Sequence, residues 1–250
     1  MVSDFTPWAN PLQGTNSAIA YSHGNTLPFI GAPFAMTSWS PQTSEDRWYF
    51  HPADRKIEGF RATRQPSPWM GDYGHFLLMP QVGERRLNPG NRSSAYRPDH
   101  SVFLPQYLRI FLIRYQTEVE LTATPRCSIL RIRFPRGDEA KRFILNTYKN
   151  EAHIEIDADG RAIRGYTRAN SGGTRHGFAS YFVLKFDCPI DANESALFFE
   201  DRIFSGQGKA TGDRIGAFVG LQTKGDSPVH VRIGTSFISV EQAERNLSRE

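Results

Sequence analysis

Residues 128–134, SILRIRF, decide the fold, because in an extended chain Leu130, Ile132 and Phe134 fall on one side and Arg131 and Arg133 on the other. That is the pattern of a half-buried antiparallel strand, one face against a core and one toward water. Just upstream, residues 118–124 read as a further strand and the apolar run 107–115, YLRIFLIRY, as a central one. Downstream, residues 153–157 and 161–167 flank Asp159-Gly160, a dipeptide suited to a tight hairpin. Residues 178–186, 196–199, 215–221 and 229–237 supply four more strands. The glycine-rich stretches around Gly172 and Gly206 read as loops, without the following helix that a phosphate-binding loop needs. Many short strands, with no repeat and no break, predict an all-β chain: a large two-sheet antiparallel β-sandwich with long loops, over residues 1–238.

Composition agrees. The chain has 250 residues, 39% of them hydrophobic, enough for one sizeable core. Its net charge of +4 arises from 30 basic and 26 acidic residues with no long basic run, which argues against nucleic acid as a partner. Arginines scattered along strands read as a solvated face, and so does the pair Glu118 and Glu120. Cys127 and Cys188 lack metal-ligand spacing and read as buried free thiols. The first residues, MVSDFTPWANPLQG, have no signal-peptide character, and no segment has the ~18 apolar residues of a membrane span. The expectation is a cytoplasmic protein with no membrane partner.

Before the regular strands comes residues 57–80, IEGFRATRQPSPWMGDYGHFLLMP. Its end, Phe76 to Met79, reads as a buried strand stopped by Pro80, so residues 65–74 form a loop held at a strand edge, where functional groups commonly sit. Trp69 among prolines makes a stiff apolar face, and Arg64 and Asp72 supply a donor and an acceptor beside it. Such a set suits a sugar, whose C–H face stacks and whose hydroxyls need directed hydrogen bonds. The competing reading is a tryptophan that plugs the core. Earlier, Gly24 and Asn25 can form a turn that presents His23, which makes His23 and Asn25 more speculative site residues. Trp39 and Trp48 read as core.

At the other end, Ser239 followed by Gln242 is a capping-box start for a helix. Residues 239–250 are therefore expected to begin a helical linker, and the chain looks truncated.

Four blocks carry a resemblance. HGNTLPF with APFAM, the 57–80 stretch, VELTATPRCSILRIRFP and VRIGTSFISVEQAERNL occur in the order seen in the N-terminal domain of glycoside hydrolase family 92. The chain resembles that domain over essentially its whole length. The resemblance implies a calcium-dependent, inverting, exo-acting α-mannosidase of mannose-containing glycans, including N-glycan processing. It also implies an N-terminal sandwich whose partner is a C-terminal catalytic barrel, on the same chain or as a split counterpart, with the active site between them. Where many members have a His-Thr-His-Leu-Ser-Gly run, this chain has Ala62-Thr63-Arg64-Gln65-Pro66-Ser67, and Ala35-Met36 replaces the common Gly-Met.

Inversion needs a carboxylic acid and a second carboxylate about 6.5–9.5 Å apart. In the family both belong to the barrel, as do most calcium ligands. The expectation is thus a substrate-shaping domain with no catalytic residue and no metal ligand of its own, inactive alone. The alternatives are a stand-alone carbohydrate-binding sandwich, or a structural brace for a catalytic partner.

Overall fold

The computed structural model describes residues 6–16, 26–45, 48–67, 69, 71–204 and 206–250. The strands are, in order, β1 (Ser38–Gln42), β2 (Lys56–Ile57), β3 (Gly59–Thr63), β4 (Phe76–Val82), β5 (Ser94–Ala95), β6 (Val102–Leu104), β7 (Tyr107–Leu112), β8 (Thr117–Ala123) and β9 (Cys127–Arg133). They continue with β10 (Lys141–Thr147), β11 (Glu151–Asp157), β12 (Ala162–Thr167), β13 (Ser180–Phe186), β14 (Ile190–Phe199), β15 (Arg202–Phe204), β16 (Lys209–Asp213), β17 (Ile215–Leu221) and β18 (Val229–Ser236). Two sheets result, of seven strands in the order β1-β3-β4-β10-β17-β14-β15 and of nine in the order β16-β11-β12-β13-β18-β9-β8-β7-β6, with a small β2-β5 ladder beside them. This is the expected all-β sandwich.

Alternation builds the core. Leu130 and Ile132 of β9 face inward as predicted, alongside Leu108 and Ile110 of β7 and Val119 and Leu121 of β8. They meet Phe60, Phe76, Leu78, Phe143 and Leu145 from the seven-stranded sheet. The sheets interlock through ring pairs, with Phe76 and Phe182 4.9 Å apart and Phe143 and Phe186 5.4 Å apart. Both cysteines are buried free thiols.

Three strand readings change in detail. β4 runs through Pro80 to Val82, because pairing with β3 ends at Leu78 while β10 continues alongside. A proline without an N–H is tolerated where the ladder on one side has stopped. β7 lies next to the sheet edge rather than at its centre, and the run 107–115 ends in a 3-10 turn, Ile113–Tyr115. Glu120, read as solvated, is 7% exposed because Arg131 and the Tyr107 hydroxyl cover it.

Of the α-helices, α1 (Pro89–Arg92) is a single turn and α2 (Val240–Arg249) is the last, capped by Ser239 as expected from the sequence: the Gln242 N–H donates to Ser239 Oγ (3.1 Å). α2 lies on the outer face of the nine-stranded sheet, burying Ala243 and Leu247 against Val183 and Cys127. Asn246 Nδ2 donates to the Thr235 carbonyl (2.8 Å), and Glu250 accepts from the Arg126 side chain (2.6 Å). Among the described residues no helix is long and apolar enough to cross a membrane.

Candidate functional site

Two loops meet on the outer face of the seven-stranded sheet. Residues 43–55 follow β1, and residues 64–75 join β3 to β4. Each contributes a tryptophan. Trp69 is 53% exposed and stacks on Trp48, with ring centroids 5.8 Å apart and planes 30° from parallel. Trp48 and Tyr49 have φ of 55° and 65°, a region bulky residues rarely enter, so the turn is held by what surrounds it.

Beneath the loops lies Arg61 of β3, which is fully buried. Strand alternation puts Phe60 and Ala62 in the core and turns Arg61 to the outer face, where the two loops cover it. Its guanidinium carbon sits 3.6 Å from the centre of the Tyr49 ring and 4.9 Å from that of Tyr148. Nε and Nη2 donate to Asp72 Oδ2 at 3.3 and 3.1 Å, and Nη1 donates to Gln42 Oε1 at 3.2 Å. The Tyr148 hydroxyl donates to the same Gln42 oxygen (2.7 Å).

Asp72 is 1% exposed, and both its oxygens are engaged. Oδ1 accepts from the backbone N–H groups of Arg64 (3.1 Å) and Tyr73 (2.8 Å). Burial alone would raise its pKa, but Arg61, His75 and the Arg64 N–H outweigh that and hold it below the ordinary carboxylate value. Burial likewise opposes the charge on Arg61, yet Tyr148, Asp72 and Tyr49 raise its pKa overall. His75 is 4% exposed, and its Nδ1 lies 3.7 Å from Asp72 Oδ2 with no hydrogen-bond partner among the described residues. Burial and then Arg61 push its pKa well below the usual imidazole value, so it is neutral at pH 7. Burial pushes Tyr148 up to about 12.

A third loop braces the second. The Asp72 N–H donates to Ser171 Oγ (2.9 Å), the Ser171 N–H to the Asp72 carbonyl (2.8 Å) and the Gly74 N–H to the Ala169 carbonyl (2.6 Å). Gly71, at φ 83°, is required here, since a Cβ on it would stand 2.6 Å from the Gly172 backbone.

The expected site residues therefore divide. Trp69 is an open ring rather than a core plug. Arg64 and Asp72 lie in the same cluster but are turned inward: Arg64 donates to the Gly74 carbonyl and Ser180 Oγ, both at 2.7 Å, and burial lowers its pKa to about 10. Both hold the loop, since their hydrogen bonds go to groups of this chain. His23 and Asn25 lie outside the described residues. Trp48, read as core, is half-buried and belongs to the platform, whereas Trp39 is core at 1% exposure. Arg61, Tyr49, Tyr148 and His75 escaped the sequence reading because an arginine in a strand ordinarily marks a solvated face. The available signal was the polar Arg61 inside GFRAT, directly before a loop that carries a matching acid, Asp72.

Among the described residues no three of His, Cys, Asp and Glu come together to hold a metal ion. Asp72 faces Arg61 and backbone N–H groups, which repel a cation, so the calcium implied by the resemblance does not fit this cluster. Tyr148 also lines a cavity of about 340 Å³ with Glu45, Asn146, Lys149, Phe198, Glu200 and Arg214. Trp69 is not part of its wall, and the tryptophan pair is an open platform.

The sequence profile described as the glycosyl hydrolase family 92 N-terminal domain matches residues 8–236. Among solved structures, the family GH92 inverting mannosidase BT2199 from Bacteroides thetaiotaomicron VPI-5482 is similar with a TM-score of 0.92 and 32% identity, over 100% of this chain and 34% of that one. The family GH92 α-mannosidase BT3965 from Bacteroides thetaiotaomicron has a TM-score of 0.85 and 21% identity over 99% of this chain and 35% of its own. The GH92 family glycosyl hydrolase ccman5 has 0.78 and 18% over 97% and 34%. No curated protein gave a significant match. The chain spans about a third of the solved chains it matches. By fold, by profile and by extent, it belongs to glycosyl hydrolase family 92 as an N-terminal domain.

Proposed function

We propose that this domain shapes the substrate site of an α-mannoside-hydrolysing enzyme, while a catalytic domain supplies the acid and base of an inverting reaction. The observation that carries this reading is the Trp48–Trp69 stack, an open aromatic face above the buried Arg61–Asp72 pair. A pyranose can lay its C–H face on such a ring, and the ring excludes water from one side of the sugar. Asp72 does not act as the proton donor. It is ionised, buried and bound to Arg61, so it cannot protonate a leaving oxygen.

Beyond the platform, the same end of the sandwich offers apolar surface. Phe34, in the turn before β1, is fully exposed and Ile238, in the bend after β18, is 74% exposed, and the Thr37–Thr235 hydroxyl contact (2.9 Å) joins the two segments. Tyr73, Phe178 and Phe237 form a ring cluster nearby, with Phe178 and Phe237 5.0 Å apart. Exposed apolar groups gathered at one end suit the docking of a partner domain. Calcium belongs, on this reading, with that partner.

The test is Trp69→Ala in an enzyme joining this domain to its catalytic domain, alongside the 250-residue chain alone. The chain alone should release no mannose from α-mannosides, with or without calcium, because each missing acid or base removes about 10²–10⁴ in rate. Trp69→Ala in the joined enzyme should lose mannoside turnover while the unfolding midpoint of the chain stays nearly unchanged. Turnover by the chain alone, or full activity of the variant, would sink the proposal.

A further inference from the structure

Trp48 and Trp69 belong to separate loops, and their stacking needs something that fixes one loop against the other. We infer that Arg61 is the positioning residue that does so, and that the indole pair is assembled through its guanidinium. The inference rests on the reading of that pair as a sugar platform.

On one side, the Tyr49 ring lies 3.6 Å above the guanidinium carbon. Tyr49 is the chain neighbour of Trp48, and both occupy a backbone region that their own side chains disfavour. The cation–π contact is the hold that such a turn needs. On the other side, Arg61 binds Asp72 Oδ2 through two nitrogens. Asp72 Oδ1 then takes the N–H groups of Arg64 and Tyr73, which lie on either side of Trp69 in the chain. One carboxylate thus ties both ends of the Trp69 loop, and Arg61 sets where that carboxylate sits. From below, Tyr148 and Gln42 fix the guanidinium to the sheet. A lysine would keep the charge but not the flat fork, so it could not lie between two rings while donating twice to one carboxylate.

Stacked indoles give an exciton couplet in far-ultraviolet circular dichroism, and the difference between the native chain and Trp69→Ala isolates it. Arg61→Lys and Tyr49→Leu should each lose most of that couplet while unfolding cooperatively. Tyr49→Leu leaves the Arg61–Asp72 pair whole, so it decides the matter if Arg61→Lys does not fold. A full couplet in Tyr49→Leu overturns the inference, as does a native chain with no couplet to lose. Methyl α-mannoside turnover by the joined enzyme separates the two readings. If Tyr49→Leu abolishes the couplet but neither it nor Trp69→Ala alters the KM or kcat, Arg61 positions the pair and the platform reading fails.

Discussion

On the outer face of the nine-stranded sheet, Glu120 is gripped by Arg131, whose side chain is 43% exposed; on the outer face of the seven-stranded sheet, Arg61 grips Asp72 with both side chains at 1% or less. The partners are chemically alike, a guanidinium and a carboxylate. Their settings are not. At the first pair water still solvates the arginine, so the attraction is screened and the pair contributes little. At the second, two loops have removed the water, and each charge depends on the other and on the surrounding rings and N–H groups. The lesson is that burial of an ion pair here serves geometry: the open ladder decorates a sheet, whereas the covered one ties loops together.

The buried pair is most vulnerable at Asp72. Asp72→Ala leaves Arg61 buried with one partner fewer, and about 3–5 kcal/mol of stability should be lost in denaturant unfolding, as for other broken buried pairs. A loss below 1 kcal/mol would mean that water reaches Arg61.

Acid probes it next. His75 has a folded pKa well below its unfolded value of about 6.5, so the unfolded chain binds more protons between the two. Its contribution is steady above about pH 6.5 and is lost as the pH falls below that, by up to about 1.4 kcal/mol per unit. Asp72, whose folded pKa is lowered, adds stability that is present above about pH 3.9 and is lost as the pH falls through its folded value. Unfolding curves recorded from pH 7 to 5 should therefore show a slope that His75→Gln flattens. An equal slope in the variant would place the titration elsewhere.

The smallest effect belongs to the open ladder. Glu120→Gln keeps the shape and removes the charge, and the unfolding free energy should change by about 1 kcal/mol or less, with the difference shrinking further in high salt. A change as large as that of Asp72→Ala would erase the contrast between the two faces.

How much of this could be read in advance follows the same division. The nine-stranded sheet was legible because its strands are wet on one side, and SILRIRF announces that with alternating Leu, Ile and Arg. The Asp159-Gly160 hairpin and the Ser239 cap were legible because short-range chemistry determines them. In the seven-stranded sheet the signal is weaker: all five residues of GFRAT are buried, since loops roof the outer face as well. Periodicity reports which residues share a face, not what later chain covers that face. For the same reason Trp69 could be singled out from its own loop, but its partner Trp48 could not, since 21 residues of sequence separate them and only the folded chain stacks them.

The caged guanidinium has a consequence for how this surface can change over generations. Tyr49, Asp72, Tyr148 and Gln42 each touch Arg61, so a replacement at any one of them meets a structure fitted to the other four. Such a cluster tolerates replacement only as a block. Change at the exposed Trp69 ring meets little of this, whereas the five residues beneath it fit only when exchanged together.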